Sequence, residues 1–94
     1  MNKYETVFLI NDTLTEENKK EVIKKFKDYI SKNGELISTE DIGSRKMAYE
    51  IKKQKTAHYY IINFKTKSEN ITELERLYRI TDEILKFIVV RRDD

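Results

Sequence analysis

The chain has 94 residues with 38% hydrophobic and 38% charged content and a formal net charge of +2, which is enough for one core in a single domain, 1–94. It contains no Cys, which excludes disulfides, thiol nucleophiles and thiolate metal sites. No apolar run approaches membrane-spanning length, and Met1-Asn2-Lys3-Tyr4-Glu5 lacks the basic-then-apolar order of a secretory leader, so the cytosol is the expected compartment.

Two Gly and no Pro leave few turn markers, so the elements must be long and closely joined. Tyr4 to Ile10 is a short β-prone run that reads as a first strand, ended by Asn11-Asp12-Thr13. A helix then starts at Thr15 or Thr13 as N-cap, with Glu16 and Glu17 at the end where the helix dipole favours acids. Val22, Ile23, Phe26, Tyr29 and Ile30 recur at three-and-four spacing and give that helix one apolar face, and Asn33-Gly34 supplies the stop. Glu35 to Lys53 reads as one long strand interrupted at Gly43, where an isolated glycine marks a bulge that presents Arg45 and Lys46. A polar turn around Lys53-Gln54-Lys55-Thr56 leads to a third strand, His58 to Thr66. Ser68-Glu69-Asn70 caps a second helix that buries Ile71, Leu74, Leu77 and Tyr78. Ile84 to Arg91 is a fourth strand, closed by Asp93-Asp94.

The order βαββαβ is that of an α+β, ferredoxin-like domain: a four-stranded antiparallel sheet with both helices on one face. Alternation places Thr6, Phe8, Ile10, Tyr60, Ile62, Phe64, Ile88 and Val90 against the helices. It leaves Val7, Leu9, Tyr59, Ile61, Phe87 and Val89 on the open face. An uncovered apolar and aromatic face of that extent implies a partner.

Catalytic patterns are missing. His58, the one histidine, has no carboxylate at a telling spacing and reads as structural or solvated. The acids follow helix surfaces and ends, there is no metal-ligand cluster, and two isolated glycines make no phosphate loop. The expectation is no enzyme, no cofactor, no metal, no small-molecule substrate and no membrane. Charge is informative by its distribution. Arg45 to Lys67 holds seven cations and one acid, against 12 cations and 16 acids in the remainder. Such a local patch fits a polyanion, and it also fits a solvated strand edge that resists aggregation. An RNA-recognition motif shares this topology, but the third strand lacks that motif's basic-Gly-aromatic-Gly opening.

The segment Gly43-Ser44-Arg45-Lys46-Met47-Ala48-Tyr49-Glu50-Ile51-Lys52 resembles the most specific motif of the bacterial small-subunit ribosomal protein six family, with Met47 in place of the usual Leu. Tyr4-Glu5 and Ile80-Thr81-Asp82-Glu83-Ile84-Leu85-Lys86-Phe87-Ile88-Val89-Val90 resemble the family's first strand and its last helix-strand junction. The sequence ends shortly after the last strand, so the longer acidic C-terminal extension of some members is not expected. The resemblance implies a ferredoxin-like fold and a non-catalytic place in the cytoplasmic small ribosomal subunit. It implies binding to the central domain of small-subunit rRNA as a heterodimer with small-subunit ribosomal protein eighteen, which is strongly basic. On that reading Arg45, Lys46, Lys52, Lys53 and Lys55 contact rRNA phosphates, with Lys3, Arg91 and Arg92 as additions, while Val7, Leu9, Tyr59, Ile61, Phe87 and Val89 dock the protein partner. Tyr4 and Tyr49 either pack against neighbouring strands or stack on RNA. The competing expectation is a homo-oligomeric regulatory module that pairs through the same open face.

Overall fold

The structure is a computed structural model that describes residues 1–92. Its elements are β1 (Asn2–Asn11), α1 (Glu16–Asn33), β2 (Gly34–Ile51), β3 (Gln54–Thr66), α2 (Glu69–Ile80) and β4 (Ile84–Arg91). The strands form one antiparallel sheet in the order β2-β3-β1-β4. This is the ferredoxin-like βαββαβ arrangement expected from the sequence. Asp93-Asp94, assigned to closing the last strand, lie outside the described residues. No described helix is long and apolar enough to cross a membrane.

Thr15 is the N-cap of α1, its Oγ1 accepting from the Asn18 amide at 3.1 Å. Val22, Ile23, Phe26 and Ile30 are buried, as their spacing dictates. Gly34 ends the helix for a different reason from the expected one. Its φ of −174° is extended backbone rather than a left-handed cap. A Cβ there would lie 2.2 Å from the Lys65 carbonyl oxygen, so only glycine lets the start of β2 approach β3. Ser68 sits in helical geometry with no side-chain cap bond. Asn70 instead ties the start of α2 to the end of α1, donating to the Asn33 carbonyl (3.1 Å) and to Thr66 Oγ1 (2.9 Å).

The core between helices and sheet is aromatic. Tyr78 stacks on Phe26 (4.4 Å between centroids) and on Phe87 (4.8 Å), and Phe8 touches Phe26, Tyr60 and Tyr78. Thr6 is the one buried polar residue of β1 besides the tyrosine, and its Oγ1 reaches both the Tyr78 hydroxyl (3.0 Å) and the Ile88 carbonyl (2.9 Å), so its hydroxyl is not stranded.

β4 has the opposite phase from that expected. Phe87 and Val89 pack on the core, whereas Ile88 (48% exposed) and Val90 (39%) stand on the open face. The cause is a bulge: Leu9 pairs with Lys86 but Ile10 pairs with Ile84, leaving Leu85 as an extra residue. Counting by twos from the buried Ile84 therefore assigns every later residue to the wrong side.

The β2–β3 hairpin also differs. Its turn is Lys52-Lys53, with φ of 50° and 65°, flanked by the pair Ile51 and Gln54, so β3 begins at Gln54 rather than His58. Two-residue turns of this kind need positive φ and usually carry Asn or Gly, so two lysines gave no signal. Between Lys46 and Ile51 the pairing with β3 is interrupted. There the chain packs Met47 and Ile51 over the open face, where Leu9, Met47, Ala57 and Leu85 form a second small core.

Candidate nucleic-acid interface

The cation-rich hairpin is aimed by three local features. Gly43 has a φ of +85° and nothing within 4 Å of where a Cβ would stand, and it supplies the left-handed backbone of a bulge between Asp41 and Gly43. Next to it Ser44 Oγ donates to Asp12 at 2.6 Å, and Thr56 Oγ1 on the facing strand donates to the same carboxylate oxygen at 2.8 Å. The other Asp12 oxygen takes Lys19 Nζ of α1 at 2.7 Å. One carboxylate thus joins the end of β1, the first turns of α1 and both strands of the hairpin. Hydrogen bonds from Lys19 and Ser44 hold the Asp12 carboxyl down at about 2. The same bond raises the Lys19 ammonium above its ordinary value.

Beyond this anchor Arg45, Lys46, Lys52, Lys53 and Lys55 are all exposed. Lys3, Arg91 and Arg92 are not brought to them. The hairpin extends from the Asn11 end of β1, whereas Arg91 pairs with Tyr4 and the Arg92 amide bonds to the Lys3 carbonyl at the other end. Arg92 there forms an ion pair with Glu5 at 2.7 Å, and Arg91 donates to Asn2 Oδ1 at 3.1 Å. The cations therefore form two groups at opposite ends of the sheet.

The two tyrosines left open between packing and stacking separate clearly. Tyr4 is 7% exposed and stacks on Phe64, which makes it a core residue. Tyr49 is 62% exposed, and Lys86 Nζ lies 5.4 Å from its ring centre and 3.1 Å from its hydroxyl. His58 does have a carboxylate partner, Asp41 Oδ1 at 2.6 Å, supplied by the neighbouring strand and so invisible to local spacing.

The open face is narrower than expected. Leu9 is 8% exposed because the hairpin covers it, and Phe87 and Val89 are turned to the core. Val7, Tyr59 and Ile61 remain half-buried on that face, now joined by Ile88 and Val90. Asp12 and Lys19 were missed in the sequence. The available signal was Lys19 itself, which lies three, four and seven residues before Val22, Ile23 and Phe26 on the apolar stripe. A buried lysine at such a place needs a carboxylate.

The family model for ribosomal protein S6 matches residues 3–91. The chain belongs to the ribosomal protein S6 family. It is 45% identical over 92 residues to small ribosomal subunit protein bS6 of a Nitratiruptor species, covering 97% of this chain and 72% of that one. It is 47% identical to the bS6 of Helicobacter acinonychis (strain Sheeba), covering 99% of this chain and 66% of the relative. The chain thus spans about two thirds to three quarters of those relatives' lengths. The crystal structure of 30S ribosomal protein S6 from Thermotoga maritima superposes with a TM-score of 0.92 at 35% identity, covering 97% of this chain and 87% of that one. Ribosomal protein S6 is a structural, non-enzymatic component of the small ribosomal subunit, a cytoplasmic ribonucleoprotein of the bacterial translation machinery. That membership decides against the regulatory-module expectation.

Proposed function

We propose that this chain, as one ribosomal-protein domain over 1–94, binds the central domain of small-subunit rRNA jointly with small-subunit ribosomal protein eighteen. The observation that carries the reading is the division of labour on the sheet. One side is a half-exposed apolar strip, Val7, Tyr59, Ile61, Ile88 and Val90, suited to a protein. The hairpin end carries Arg45, Lys46, Lys52, Lys53 and Lys55, suited to phosphate. A net charge of +2 is small for an RNA-binding protein acting alone, so a strongly basic partner supplies the rest of the counter-charge. Lys3, Arg91 and Arg92 form a second, separate contact group at the far end of the sheet. Phe87, Val89 and Leu9 leave the partner-docking set, and Ile88 and Val90 enter it.

The test is binding to a central-domain rRNA fragment, with and without protein eighteen, across a salt series. Tight, salt-sensitive binding that needs both proteins is the expected result, and no binding by the mixture of folded proteins overturns the reading. Replacing Arg45 and Lys46 together by Gln flattens the salt slope by about 1–2 with the fold intact. An unchanged slope removes these two from the contact set. Ile61→Asp on the apolar strip weakens partner binding by about tenfold or more, while thermal unfolding shifts by only a few degrees. A variant that loses its fold instead would place Ile61 in the core.

A further inference from the structure

The Lys52-Lys53 turn does more than extend the hairpin. It brings Lys52 to a cleft of about 360 Å³ beside the start of β4, which is also lined by Arg79 from the last turn of α2 and by Lys86. Three cations from three elements, far apart in sequence, converge there. All three are exposed and none is in an ion pair among the described residues. No carboxylate lines the cleft, and its floor is formed by Tyr78, Leu85 and Phe87. The larger cleft on the α1 side differs in kind. Its lysines Lys20, Lys24 and Lys27 share the lining with Asp28 and Asp41, and Lys24 is paired with Asp28 at 3.3 Å.

Like charges held together without a counter-ion repel one another in the free protein, and an incoming anion relieves that repulsion. A guanidinium offers a planar fork to phosphate oxygens, and two ammonium groups add point charges around it. Tyr49, 62% exposed as a residue, lies directly beside this group through Lys86. Cations next to an exposed aromatic ring match a nucleotide, whose phosphate and base need both. We propose that Lys52, Arg79 and Lys86 form a binding site for a backbone phosphate of RNA, with Tyr49 as the platform for an adjacent base. The site rests on the rRNA-binding reading above and adds Arg79 and Lys86 to it.

The experiment uses the full chain with protein eighteen and the central-domain rRNA fragment, titrated at several salt concentrations. Arg79→Gln with Lys86→Gln lowers affinity about tenfold near 0.1 M salt and makes the salt slope shallower by about 1–2. Arg79→Lys with Lys86 intact recovers the slope and only part of the affinity, because the charge remains and the fork is lost. Tyr49→Leu weakens binding several-fold with the slope unchanged. Lys20→Gln with Lys24→Gln removes the same charge on the α1 side and stays within about twofold of the parent, apart from a small long-range effect. Thermal unfolding of each variant reports the fold. Equal losses from the Arg79/Lys86 and Lys20/Lys24 pairs, or an unchanged slope for the first, overturn the site while leaving rRNA binding standing. Failure of the parent mixture to bind overturns both.

Discussion

Tyr78→Ala lowers the unfolding free energy by about 3–5 kcal/mol. The ring is 1% exposed and touches Phe8, Phe26 and Phe87, so its removal takes the centre out of the aromatic core and leaves a cavity among rigid neighbours. A domain of this size has only about 5–15 kcal/mol in total, so the variant is marginal at physiological temperature. Tyr78→Phe separates the ring from its hydroxyl. It gives up only the bond to Thr6 Oγ1, which keeps its second partner at the Ile88 carbonyl, and it costs about 1 kcal/mol. Burial pushes the Tyr78 hydroxyl above its ordinary value. Urea unfolding of the two variants checks this. A Tyr78→Ala loss below about 1 kcal/mol would mean that the core closes over the gap.

Asp12→Asn is the second large effect, roughly 2–3 kcal/mol, because it leaves Lys19, 5% exposed, beside a neutral amide. The pH dependence gives it a signature. Asp12 titrates at about 2 in the folded chain against 3.8 as its ordinary value. Its stabilisation is therefore complete above about pH 4 and is lost as the pH falls toward 2. Parent and variant should differ fully at neutral pH and converge near pH 2. Lys19, raised above 10.5, keeps the pair intact below that value and loses its share only in strong alkali. Amide exchange adds a local readout: residues 44–57 should exchange faster in the variant, since Ser44 and Thr56 both donate to the lost carboxylate. A gap between parent and variant that persists unchanged at pH 2 would show that the carboxylate charge is not what holds the hairpin.

Much of this architecture was legible because it is written locally. The three-and-four stripe of α1, the Thr15 cap, the alternation of β1 and β3 and the isolated Gly43 each use a rule that a short window satisfies. What was hidden depends on pairing between distant segments. The extra Leu85 in β4 becomes a bulge only when β1 is laid beside it, and that one residue exchanged Phe87 and Val89 for Ile88 and Val90. The Lys52-Lys53 turn carries no residue that advertises positive φ, so the hairpin reads as two residues shifted and its reach across the sheet is invisible. The candidate site followed the same division. The five hairpin cations announced themselves as a run, whereas Arg79 and Lys86 join Lys52 only in three dimensions, and Asp12 looked like loop punctuation.

β1 is synthesised before the other strands of its sheet, yet it occupies an interior position between β3 and β4. Both of its flanking partners are made later, and Tyr4 meets Arg91 across nearly the whole described chain. No fragment that stops before β4 can give β1 its second ladder or close the aromatic core with Phe87. The nascent chain thus carries an exposed β1 flank until β4 has emerged, and folding waits on closure of a very long loop.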